Sequence, residues 1–162
     1  MTLPQDALSV RQPWAWAIIH AGKPVENRSL VAIAKGGMEK AVHRRIAIPA
    51  GKGMTRDEYE SAAVFMLGLG VTVPPAALLM RGGIIGSVRV TAIVTKHSSP
   101  WFFGPRALVL TQPEACEFVG AQGELGLFKW TPSGSEPEPP ARWMVPRAKD
   151  AQMTLPETSR LL

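Results

Sequence analysis

The sequence predicts an α+β fold, a small mixed β-barrel or half-barrel with helices on its flank. Three observations lead there. Short β-branched stretches bounded by glycine and proline recur along the chain, only two stretches have helical character, and one of those two lies well inside the strand order. With 162 residues, 46% of them apolar and 19% charged, the chain suits one folded domain with a real core rather than two.

In chain order, ALSV at 7–10 alternates weakly and reads as a strand that Pro13 stops. AWAIIHA then supplies about two helical turns, ended by Gly22. VENRSLVAI is strand-like though interrupted by charge, and the basic, glycine-broken KGGMEKAVHRR is expected to be a surface loop. RRIAIPAG reads as a short strand. TRDEYESAAVFMLGLG is the clearest helix, opened by a capping box of Thr55 and Glu58, with Tyr59, Ala62, Ala63, Met66 and Leu67 at helical spacing on a core-facing side. A turn-rich VTVPPAALLMRGG leads to GIIGSVRVTAIVTKH, the strongest strand, β-branched and bounded by glycines. SSPWFFGP follows as a loop, and ALVLTQP and LGLFKW are expected to close the sheet as two strands separated by an irregular EACEFVGAQGE. The domain is expected to span 1–130. Residues 131–162 hold six of the fifteen prolines, a composition expected of an extended or disordered tail that Trp143, Met144 and Val145 could pin in part.

Eighteen Lys and Arg against thirteen Asp and Glu give a net charge of +5, a bias toward an anionic partner such as nucleic acid. The single cysteine, Cys116, excludes an internal disulfide and a cysteine-cluster metal site, and reads as an inert, partly buried thiol. His20, His43 and His97 lack ligand spacing, so neither a metal nor an organic cofactor is expected. Apolar runs break well short of the ~20 residues a membrane span needs. The first ten residues carry Asp6 where a secretory signal would carry lysines, so the expected location is cytoplasmic, away from membranes. No phosphate-binding glycine loop or G-x-S-x-G elbow occurs.

The chemistry concentrates in RQPWAWAIIHAGKPVENRS, residues 11–29. Lys23, Glu26 and Arg28 follow K-x-x-E-x-R. On a strand, residues 26 and 28 share a face, and Lys23 can reach it from the preceding turn, so an acid is bracketed by two cations. A solvated ion-pair network is the bland account. Trp14 and Trp16 precede the cluster by one short helix, and Trp101 and Phe102 read as exposed aromatics on a later loop; planar rings beside cations are what stacking on a base requires. Gln12 and Asn27 carry amides able to pair with a base edge, or to serve as turn and cap groups.

The run LSVRQPWAWAIIHAGKPVENR resembles the opening of an ASCH domain, the activating signal cointegrator-1 homology module of the PUA-like superfamily. Members often open with LS-x-x-QPWA and continue, after a short helix, to G-x-K-x-x-E-x-R. The first motif falls on Gln12, Pro13, Trp14 and Ala15 and the second on Lys23, Glu26 and Arg28, while the family glycine two before the lysine is Ala21 here and glycine stands at Gly22. The specific match covers residues 8–29. The resemblance implies a PUA-like barrel whose cleft is lined by the motif; Trp101 and Phe102, as exposed aromatics of a later loop, are our choice for the opposite wall.

It further implies binding of RNA, single-stranded nucleic acid or a modified nucleoside through Gln12, Trp14, Lys23, Glu26, Asn27 and Arg28. A second reading is a hydrolase acting on that ligand with Lys23 and Glu26 as catalytic groups, either a ribonuclease or similar to the ASCH amidohydrolases that deacylate acetylcytidine. Those enzymes carry a threonine where this chain has Glu26, so that nucleophile is missing. A third is a protein-interaction module acting through the barrel or the tail.

Overall fold

The computed structural model describes residues 2–146. Its fold is mixed α+β. Six strands, β1 (Asp6–Leu8), β2 (Val25–Arg28), β3 (Arg44–Ala50), β4 (Gly83–Val94), β5 (Arg106–Gly120) and β6 (Leu127–Lys129), form one sheet in the order β2-β5-β4-β3-β1-β6. All pairings are antiparallel except β1 with β3. Three helices accompany them: α1 (Trp14–His20), α2 (Leu30–Gly36) and α3 (Arg56–Gly68).

The sheet curls into a half-barrel. In a flat sheet β2 and β1 would stand four strand spacings apart, roughly 19 Å. Yet Arg28 on β2 donates from a guanidinium nitrogen to the carbonyl of Ser9, one residue past β1, at 2.8 Å. The period-two pattern then sorts side chains between the two faces. Leu8, Ile46, Ile48, Val88, Val90 and Leu108 pack inside the curl, where α1 adds Ile18 and Ile19 and α2 adds Ile33. Ala7, Ala47, Ile84 and Phe128 face the other way, in a smaller cluster with Leu3 and Trp130. Each large aliphatic side chain buried this way contributes about 1.5–3 kcal/mol before the entropy of ordering it.

Three expectations from sequence are corrected. The strand expected over VENRSLVAI ends at Arg28, and α2 follows: the Ser29 hydroxyl accepts from the Ala32 amide at 3.0 Å, and Gly37, at φ +63°, ends the helix. Val31 and Ile33 suggested a strand, but the cap and the terminal glycine decide the local conformation. The expected loop after it includes a 3-10 turn at Met38–Ala41, with Met38 and Ala41 buried. The irregular EACEFVG is instead part of β5, which runs through Pro113 because the register with β4 shifts between the pairs Ser87–Glu114 and Arg89–Thr111. A bulge there, with Gln112 at φ +52°, accommodates a residue that has no N–H for the ladder.

The capping box of α3 forms, Glu58 N–H donating to Thr55 Oγ at 3.1 Å and Thr55 N–H to Glu58 at 3.3 Å. Its packed face is Ala62 and Met66 with Phe65 and Leu69, whereas Leu67 points to solvent. Residues 131–146 lie along the domain. Arg81, itself buried, donates to the carbonyls of Lys52 and Pro139, and Met144 is buried beside Met54 and Leu79. The rest of the 131–162 stretch lies outside the described residues. Among the described residues no helix is long and apolar enough to cross a membrane, and no group of three His, Cys, Asp or Glu side chains is placed to hold a metal ion.

Candidate binding cleft

Helix α1 ends in a turn at Ala21 and Gly22. Gly22 stands at φ +69°, a conformation open to glycine at little cost, and the Lys23 amide donates back to Ala17 at 3.2 Å. That turn drops Lys23 beside β2. Its ammonium donates to Glu26 Oε1 at 2.9 Å, and the Arg28 guanidinium donates to Glu26 Oε2 at 3.0 Å from Nε, with a second nitrogen at 2.9 Å. The acid is therefore held between two cations.

This cluster is not the solvated surface network that the spacing alone allows. Only 2% of the Lys23 side chain is exposed, 11% of Glu26 and 22% of Arg28. Burial by itself would push the Glu26 carboxyl up; the charges of Lys23 and Arg28 and their hydrogen bonds more than reverse it, and the group sits below its ordinary range. Arg106 stands directly opposite Arg28 in the β2–β5 register and so projects from the same face, making no ion pair among the described residues.

Glu26 and Arg28 line a cleft of about 570 Å³ together with Ser9, Arg11 and Trp14. Its far side is Gly51 and the segment Gly123–Gly126. Gly126, at φ +71°, lies so close to Gly36 at the end of α2 that neither position has room for a Cβ. Arg11 is engaged at the rim by Glu58 of α3 through two hydrogen bonds of 2.7 Å.

The Trp14 ring has edge-on neighbours in Trp101 at 6.4 Å and Phe103 at 6.2 Å, and Phe65 at 6.0 Å. The Lys23 ammonium lies 5.4 Å from its centroid, within cation–π range.

The other residues named from sequence take different places. Gln12 is buried, its amide donating to the Met80 carbonyl at 2.8 Å and accepting from the Trp16 amide at 2.9 Å, so both ends are used in seating α1. Asn27 donates to the Trp101 carbonyl at 3.0 Å and accepts from the amides of Phe103 and Gly104, pinning the aromatic loop to β2. Trp101, expected to be exposed, is only 7% so and packs against Ala17, Val25 and Met66. Phe102 is half-buried near His97. Neither is among the residues lining the cleft, and Trp101 meets Trp14 edge-on. The exposed aromatic of that loop is Phe103, 57% accessible, which with Trp14 borders a separate, shallower depression of about 530 Å³. Cys116 is half-buried, and burial with the neighbouring Glu117 pushes its thiol up.

Sequence reasoning missed Ser9, Arg11, Gly51, Arg106 and Gly123–Gly126. The glycine-bounded GELG was the available signal for the last, since a segment that must pass close to a helix end cannot carry side chains at those points. No protein-family model matches the chain, and no curated protein matches it significantly.

Proposed function

We propose that this chain is a PUA-like module of the ASCH type that binds RNA or a modified nucleotide in the cleft beside Trp14. One observation carries the reading: a buried Lys23–Glu26–Arg28 cluster presents Glu26 and Arg28, with the Trp14 ring, to a cavity of about 570 Å³, Lys23 lying behind Glu26. Such a cluster is poorly explained by stability, because apolar residues of similar volume commonly serve a core as well or better. At a cleft wall it offers a fixed carboxylate able to accept from an exocyclic amine, a planar guanidinium able to meet a base carbonyl or phosphate, and a ring on which a base can stack. Four cations, Lys23, Arg28, Arg106 and Arg11, stand against three acids, Glu26, Glu58 and Glu124, in and around this corner.

Binding is favoured over hydrolysis by the state of Glu26. A carboxyl drawn down by two cations is a weak general base near neutral pH, and Lys23 is engaged with it. The test is titration of single-stranded RNA, cytidine and acetylcytidine into the protein, with mass spectrometry of the ligand afterwards. The expected result is salt-dependent binding without turnover, weakened at least tenfold by Arg28→Ala in protein that remains folded. Affinity indifferent to salt and to that substitution sinks the reading, and product that disappears in Lys23→Ala replaces it with the hydrolase.

A further inference from the structure

Beyond Ser9 the cleft does not end. A second cavity, of about 520 Å³, shares Ser9, Gly51 and Gly123 with the first, so the two adjoin at these residues. The Ser9 hydroxyl at that junction is covered and has no hydrogen-bond partner among the described residues.

The two halves differ in chemistry. The first presents the Glu26 carboxylate, the Arg28 guanidinium and the Trp14 ring, groups suited to a base. Among the described residues no carboxylate lines the second. Its polar groups are the exposed Lys52, which makes no ion pair among the described residues, the Gln122 amide, and serines that include Ser133 and Ser135 of the segment following β6. A half-groove with one free cation, hydroxyl donors and no acid is suited to a phosphodiester.

We infer that the two cavities form one groove for an RNA strand of at least two nucleotides, a base held beside Trp14 and the next phosphate held by Lys52 across the Ser9 junction. This rests on the nucleotide-binding reading of the first cavity and chooses a strand over a free nucleoside. Gly51 makes it testable. A Cβ there would meet Arg11 and the Val10 carbonyl at ordinary distances of 3.9–4.0 Å, so an alanine methyl group fits on this wall, which both cavities share.

The experiment compares short single-stranded RNA with cytidine monophosphate, by fluorescence anisotropy and calorimetry, in the wild type, Lys52→Ala and Gly51→Ala. The wild type is expected to bind the RNA at least tenfold more tightly. Lys52→Ala should weaken only the RNA, lowering the slope of log affinity against log salt by about 0.7, the value for one phosphate contact on a single strand. Gly51→Ala, on the wall that both cavities share, should weaken RNA more than the mononucleotide. Equal affinity for the two ligands, or RNA binding unmoved by both substitutions, overturns the strand groove and leaves the first cavity as a nucleotide site. Binding of neither ligand overturns the underlying reading as well.

Discussion

The guanidinium of Arg28 lies 2.8 Å from the carbonyl of Ser9, a contact between an edge strand and the far side of a six-stranded sheet. The same side chain neutralises Glu26, so one residue both helps close the curl and completes the cleft. Arg28→Lys keeps the charge but cannot serve Glu26 and Ser9 together. We expect a loss of about 1.5–3 kcal/mol, the scale of one charge-assisted hydrogen bond, measured by urea denaturation. A loss indistinguishable from zero would mean that the bridge does not hold the curl.

Glu26 links stability to pH. Its carboxyl is lowered from an ordinary 4.5, because Lys23 and Arg28 outweigh the opposing effect of burial. Near that pH the folded chain binds fewer protons at this site than the unfolded chain. The stabilisation is therefore complete above the ordinary value and is lost as pH falls through the folded one. Glu26→Gln removes the titrating group and leaves Lys23 buried beside a neutral side chain, at an expected cost of about 3–5 kcal/mol at pH 7. The difference in unfolding free energy between wild type and variant should be flat from pH 7 to about 5 and shrink below 4.5. A difference constant down to the acid transition would show that Glu26 titrates normally.

Asn27 bears on the aromatic wall. Removing its amide in Asn27→Ala frees the Trp101 carbonyl and the amides of Phe103 and Gly104. The loop at 99–104 should loosen, seen as faster amide exchange there and a red shift of tryptophan emission as Trp101 gains water. The cluster at Lys23, Glu26 and Arg28, held by separate bonds, should keep its effect on stability; unchanged exchange in the loop would show that packing alone holds it.

Two glycines should respond oppositely to alanine. At Gly86 a Cβ would run into the Glu114 carbonyl and lie 2.7 Å from Ile19 Cδ1, so Gly86→Ala forces β4 away from β5 or α1. We expect destabilisation of about 1–3 kcal/mol, as for overpacked cores. Gly68, the last residue of α3, has nothing within 4 Å of a Cβ, and Gly68→Ala should stabilise by about 0.4–1 kcal/mol through the unfolded state. Thermal melts of the two variants decide both.

Where local rules act alone, the sequence was sufficient. Thr55 and Glu58 announce the start of α3, Gly22 the end of α1, and the β-branched run from Gly83 the longest uninterrupted strand expectation, because caps, turns and alternation depend on neighbours a few residues away. The acid between two cations was equally legible, since Lys23, Glu26 and Arg28 lie within six residues. The mixed α+β class followed from these elements together.

Long-range contacts decided the rest. Whether Gln12 and Asn27 point to a ligand or to a carbonyl depends on Met80 and Trp101, 68 and 74 residues away. Trp101 is buried because Trp14, Phe65 and Val25 converge on it from three other elements, and Pro113 remains in a strand because β4 yields a bulge opposite it. The far wall of the cleft, Gly51 and Gly123–Gly126, meets Arg28 only once the sheet has curled. Sequence therefore determined the charges and the elements that carry them; tertiary structure decided which groups remained free, because a polar side chain's availability is set by whatever packing brings within hydrogen-bond reach of it.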